Sequence, residues 1–150
     1  KVQATPLITI RPATIEDVAA LEALPLPGIP WNTWLADPSA AVVCLQADER
    51  LAGVVAGRVD EGGVGHVLAL FVAPDLRRRY WGSALADALS EALRMRGAQS
   101  VTVEAAAADQ ALRAFWSAQG FDLSTAVYTR LFASVATTGW RARFRRWIEQ

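Results

Sequence analysis

Between Leu68 and Leu85 the chain reads LALFVAPDLRRRYWGSAL: an apolar run, a proline stop, three consecutive arginines, then a glycine opening an amphipathic stretch. That order describes a strand delivered to the N-terminus of a helix. The first-turn N–H groups of a helix have no intrahelical partner, and the helix dipole is positive there. Basic side chains brought to the same place make a site for an anion, and a phosphate-bearing ligand is the natural guest. A plain solvated face is the competing reading of the three arginines.

A chain of 150 residues with 53% apolar content can bury one core of useful size. Acidic and basic residues balance at 15 each, so no global field draws the protein to nucleic acid. The apolar runs are broken by Gly and Pro and are too short to cross a bilayer, so no stable membrane insertion is expected. Cys44 is the sole cysteine and His66 the sole histidine, which leaves no Cys/His metal spacing. The opening KVQATPLITI lacks the features of a signal peptide. A metal-free cytoplasmic protein is the expectation.

Periodicity and punctuation give the element order. Leu7 to Arg11 alternates as a strand, and Ile15, Val18, Leu21 and Leu24 recur at helical spacing after Pro12 and Thr14. Residues 25–38, with prolines at 25, 27, 30 and 38, form a structured loop with room for a helical turn around Trp31 to Leu35. Ala40 to Ala47, Leu51 to Val59 and Val64 to Val72 read as three strands joined by tight turns. Leu85, Leu89 and Leu93 then mark a helix capped by Gly97. Ser100 to Ala105 is a strand, Asp109 to Gln119 a helix with Leu112 and Phe115 inward and Gly120 as its cap, and Thr125 to Phe132 a last strand. The tail is separate: Trp140, Phe144, Trp147 and Ile148 make an apolar stripe among arginines, so residues 133–150 read as a basic amphipathic helix that packs on the 1–132 domain, pairs two protomers as a homodimer, or lies on an anionic surface. Packing on protein is favoured.

In this order, FVAPDLRRRYWGSAL and ALRAFWSAQGF resemble two signatures of the GNAT (GCN5-related N-acetyltransferase) superfamily. The first is similar to the V-x-P strand end and R/Q-x-x-G-x-G/A loop, the second to the A-x-x-F-Y-x-x-x-G-F helix and turn. The resemblance spans about residues 7–132. It implies an α/β (α+β) fold with a mixed, mostly antiparallel sheet of six to seven strands flanked by helices, parted between its fourth and fifth strands. It also implies acetyl-CoA, or another acyl-CoA, in that gap, its pantetheine arm bonding the backbone of Phe71 and Val72. The diphosphate would lie on Arg77, Arg78, Arg79, Tyr80, Trp81, Gly82 and Ser83.

The implied reaction is direct acyl transfer to the amine of a small molecule or a protein. Its base is the glutamate of an L-E-V run, which aligns with Glu104; a surface carboxylate is the alternative for that residue. Four positions depart from the family pattern. Tyr80 replaces a loop glycine, Trp116 stands at the tyrosine acid, Ala69 replaces a carboxylate of the fourth strand, and Asp109 replaces an asparagine and reads equally as a helix cap. Indole is no acid near neutral pH. His66 reads as a strand-edge histidine rather than a base. Trp31 and Trp34 either wall the acceptor site or cap the core. The expected function is therefore an acyl-CoA-dependent N-acyltransferase, or alternatively a GNAT-fold acyl-CoA-binding or protein-interaction module with weak or no catalysis.

Overall fold

The computed structural model describes residues 5–77, 79–104, 110–123 and 127–131. Its strands are β1 (Ile8–Pro12), β2 (Ala40–Ala47), β3 (Arg50–Val59), β4 (Val64–Val72), β5 (Ser100–Glu104), β6 (Asp122–Leu123) and β7 (Val127–Leu131). They form one seven-stranded sheet in the order β1-β2-β3-β4-β5-β7-β6. Neighbours run antiparallel except β4 and β5, which are parallel. The α-helices among the described residues are α1 (Val18–Glu22), α2 (Trp31–Ala36), α3 (Trp81–Met95) and α4 (Gln110–Ala118). The expected mixed sheet is observed, and the two-residue β6 is the strand that brings it to seven. The expected helix at 133–150 lies outside the described residues.

β2 and β3 are apolar at nearly every position because helices cover both faces of the sheet. Alternate residues serve opposite sides, as the two-residue period of a strand requires. Val43, Leu45 and Val55 join α3 and α4 in one buried cluster, while Val42, Cys44 and Val54 join Leu21 and Trp31 in the other. Trp31 meets Trp34 edge-on at 5.5 Å, and both pack over this second cluster. Trp31 is thus a core residue, and Trp34 is half-buried beside it. Burial pushes the Cys44 thiol up to about 12, so it stays neutral and unreactive.

α3 presses Leu85, Leu89 and Leu93, each at most 1% exposed, onto the opposite face. It comes this close because β3 carries Gly57. A Cβ there would lie 2.7 Å from the His66 carbonyl oxygen and 3.1 Å from both Leu89 Cδ2 and Leu93 Cδ1. Gly97, at φ +97°, ends the helix, and the next N–H, of Ala98, donates back to the Leu93 carbonyl at 3.0 Å.

Where β1 hands over to α1, the Arg11 guanidinium donates to both Asp17 oxygens at 2.8 Å, and the Thr14 N–H donates to one of them at 2.7 Å. Chiefly through Arg11, these bonds hold the Asp17 carboxyl at about 2. A folded value below the unfolded one means the stabilisation is complete above the ordinary value of 3.8 and is lost as pH falls through about 2. Asp17→Asn is expected to cost about 1 kcal/mol at neutral pH. The deficit should shrink on acidification, as measured by urea unfolding between about pH 5 and pH 2.

Candidate active site

β4 pairs with β5 only from Val64 to Val67, opposite Ser100 to Val103, yet β4 runs on to Val72. At the point of departure Ala56 faces Ala69 and Gly57 faces Val67, so Leu68 bulges from the ladder with β3. The sheet parts here, and a cleft of about 740 Å³ opens beside the exposed half of β4. That volume suits a bound small molecule or an extended cofactor arm.

Backbone alternation decides what β4 offers. The Ala73 N–H donates to the Ala52 carbonyl at 2.7 Å, so the polar groups of Phe71 face β3 while those of Leu70 and Val72 face the gap. The expectation of a backbone contact at Phe71 is corrected accordingly. Phe71 gives the cleft its ring, and Val72 gives it a carbonyl. Arg77 Nε donates to that carbonyl at 2.8 Å, with its guanidinium carbon 5.8 Å from the centre of the Phe71 ring. A fixed positive charge is thereby fastened to the cleft wall.

The floor of the site is the start of α3. The Ala84 N–H donates to the Tyr80 carbonyl at 3.1 Å, and the N–H groups of Trp81, Gly82 and Ser83 precede that first rung of the helix ladder. Trp81 packs against the core. Gly82 is small because Phe115 lies over it: a Cβ would stand 3.1 Å from Phe115 Cε1. The Ser83 hydroxyl accepts a hydrogen bond from Gln119 Nε2 at 2.8 Å. Arg79 is exposed nearby, and Arg78 lies outside the described residues.

Tyr80 borders the cleft without filling it. Its φ of +67° is left-handed, and its side chain is 73% exposed, turned toward solvent. A residue with a Cβ in this conformation costs roughly 1–2 kcal/mol. Tyr80→Gly is therefore expected to stabilise the fold by about 1 kcal/mol, the gain being trimmed by the looser unfolded chain. Thermal unfolding of the two proteins measures it, and a lower melting temperature for the glycine variant contradicts it.

α4 supplies the third wall. Leu112 and Phe115, expected inward, line the cleft with Ala111. The residue that turns fully inward is Trp116, 2% exposed, with rings of Phe115 and Phe121 set edge-on at 4.9 Å and 5.2 Å. The candidate acid position is thereby corrected to a core position that does not line the cleft. Glu104 is the first residue of β5 beyond the pairing with β4, and its backbone pairs with Val127 of β7. Asp109 lies outside the described residues. His66 sits at the paired end of β4, its ring bonded to Asp60 Oδ2 at 2.8 Å and to Thr102 Oγ1 at 3.1 Å. That bond, with N–H donors of the turn, keeps the Asp60 carboxyl below its usual range. The ring belongs to the hairpin, not to the cleft.

Among the described residues no group of three or more His, Cys, Asp or Glu is placed to hold a metal ion, and no helix is long and apolar enough to cross a membrane.

A family model described as "Acetyltransferase (GNAT) family" matches residues 11–121. No curated protein matches the sequence significantly. Among solved structures, the Escherichia coli ribosomal-protein-S18-alanine N-acetyltransferase superposes with a TM-score of 0.71 at 18% identity, over 86% of this chain and 97% of that one. A Bacillus anthracis protein in complex with acetyl coenzyme A gives 0.72 at 10% identity, over 84% and 100%. Arabidopsis thaliana Naa50, in complex with the bisubstrate analogue CoA-Ac-MVNAL, gives 0.69 at 13% identity, over 83% and 99%. Similarity at these identities is a similarity of fold.

Proposed function

The chain belongs to the acetyltransferase (GNAT) family, and from that premise we propose that it transfers an acyl group, acetyl foremost, from acyl-coenzyme A to an amine. One observation carries the reading: the gap in the sheet and the N-terminus of α3 open into the same cleft. An amide-bearing pantetheine arm suits the carbonyl edge at Val72, and a diphosphate suits the N–H groups at Trp81, Gly82 and Ser83 beside Arg77, with Arg78 and Arg79 proposed as further cationic contacts. Asp109 is kept as a proposed cofactor contact. The turned-out Tyr80 ring leaves the cleft open.

Glu104 is assigned the base. It takes the proton of the acceptor nitrogen as the N–C bond forms and the C–S bond of the thioester breaks. The departing thiolate takes its proton from water, because Trp116 is both buried and incapable of donating one at neutral pH. The CoA-Ac-MVNAL analogue of Naa50 and the protein alanine named for the Escherichia coli neighbour favour an amine on a protein as acceptor, and the acetylneamine analogue bound by another neighbour keeps a small-molecule amine as the alternative. The 133–150 segment is assigned to packing on this domain or on a second copy.

A second reading is a module that binds acyl-CoA with weak or no catalysis. It is favoured by Trp116 in the core and by Ala69 on β4. A panel of amines incubated with labelled acetyl-CoA separates the two. Transfer to any amine supports the enzyme; saturable binding without transfer supports the module; absence of binding removes both.

A further inference from the structure

The start of α3 meets the end of α4 where Phe115 lies over Gly82 and, through polar groups, where Gln119 meets Ser83. Gln119 follows α4, its N–H bonded to the Phe115 and Trp116 carbonyls at 3.2 and 3.1 Å. Gly120 then turns at φ +89°, and the Phe121 N–H donates to the Trp116 carbonyl at 3.2 Å. This closed turn fixes the Gln119 backbone, and the residue as a whole is only 8% exposed. Its Nε2 donates to Ser83 Oγ at 2.8 Å, across 36 residues of sequence.

The direction of that bond has a chemical consequence. A side-chain amide nitrogen is only a donor, so Ser83 Oγ must be the acceptor, and its own proton is left for a second partner. A hydroxyl that accepts one hydrogen bond is polarised into a better donor of another. Serine in the first turns of a helix otherwise tends to spend its hydroxyl on local backbone groups. Ser83 lines the cleft beside the N–H groups that open α3. Resting on the acyl-CoA reading above, we propose that Gln119 is a positioning residue which, through Ser83, aims a hydroxyl donor at the cofactor diphosphate. Gln119 itself touches no ligand. Its amide sets the rotor of the side chain that does, and it locks α4 against α3 at the diphosphate end of the cleft.

The test is a double-mutant cycle in affinity, read by calorimetry with CoA, with inorganic diphosphate and with pantetheine, which has no phosphate. Ser83→Ala and Gln119→Leu are each expected to weaken CoA about 10-fold, while Ser83→Ala/Gln119→Leu is no weaker than either alone. Gln119→Glu keeps the size of the side chain but reverses the bond, making Ser83 the donor to a carboxylate, and is expected to weaken CoA more than Gln119→Leu does. Pantetheine binding should be equal in all variants. A purely structural Gln119 moves melting temperature but not this pattern. Additive losses, or a Gln119→Glu protein that binds CoA like wild type, overturn the proposal. If wild type binds diphosphate with the same coupling but no CoA, the hydroxyl assignment stands and the acyl-CoA reading falls. Binding of neither ligand ends both.

Discussion

Glu104→Gln is expected to lower acyl transfer by about 100-fold to 10,000-fold while leaving the affinity for acetyl-CoA unchanged. Register singles out this residue. β5 pairs with β4 through Val103 and with β7 through Glu104, so Glu104 is the strand residue that stands where the sheet begins to part. An acceptor amine is protonated near neutral pH and cannot attack until a proton leaves. A carboxylate at the parting of the strands is the group assigned to take it, and glutamine matches its size but is no base. Steady-state rates against acetyl-CoA and amine concentration check this. In Glu104→Gln, kcat should fall with acetyl-CoA binding intact. An unchanged kcat removes the assignment and leaves the proton to water.

Trp116→Ala is expected to cost about 3–5 kcal/mol, a large share of the stability of a domain this size. The indole is enclosed by Phe115 and Phe121 and belongs to the main core cluster. Removing it empties a volume that the closed α4–β6 turn cannot refill. Trp116→Phe retains most of the burial and is expected to transfer acyl groups at close to the wild-type rate. Chemical denaturation and initial rates on the two variants test both halves. A stable alanine variant contradicts the core role, and a phenylalanine variant that folds but loses its rate contradicts the statement that this position does no chemistry.

The contrast between Trp116 and Phe115 shows what the sequence could and could not convey. The strand order, the meander and the arginine-bearing approach to α3 were legible because each depends on local period and punctuation. Val64 to Val72 and Gly97 needed no tertiary knowledge to be read. Two adjacent aromatics on a helix differ by about 100° in direction, and nothing local says which of them meets the core and which meets the cleft. Leu112, Phe115 and Gln119 form one stripe at intervals of three and four, which was the available signal. Its use as a cleft wall follows only from where the sheet opens.

Tyr80 is a different case. Its departure from glycine was visible in the chain, but the outcome depends on a side-chain direction set by the left-handed backbone at φ +67°. With 73% of its surface in water, the ring does not fill the cleft. The contribution of Phe71 is hidden from the sequence for a simpler reason. Which backbone groups of β4 face the gap is a matter of parity, and parity comes from the hydrogen bond of Ala73 to Ala52, not from composition. The bond between Ser83 and Gln119 joins residues 36 apart and leaves no trace in either local pattern.

Every assignment at the site depends on a nucleotide thioester entering the gap beside β4. Titration calorimetry of the full chain with acetyl-CoA measures this directly. Saturable binding at one site per chain is predicted, weakening as salt is raised and weakening further in Arg77→Ala, since a charged diphosphate beside a fixed guanidinium is screened by ions. No detectable binding, or binding indifferent to both salt and Arg77, would contradict the account.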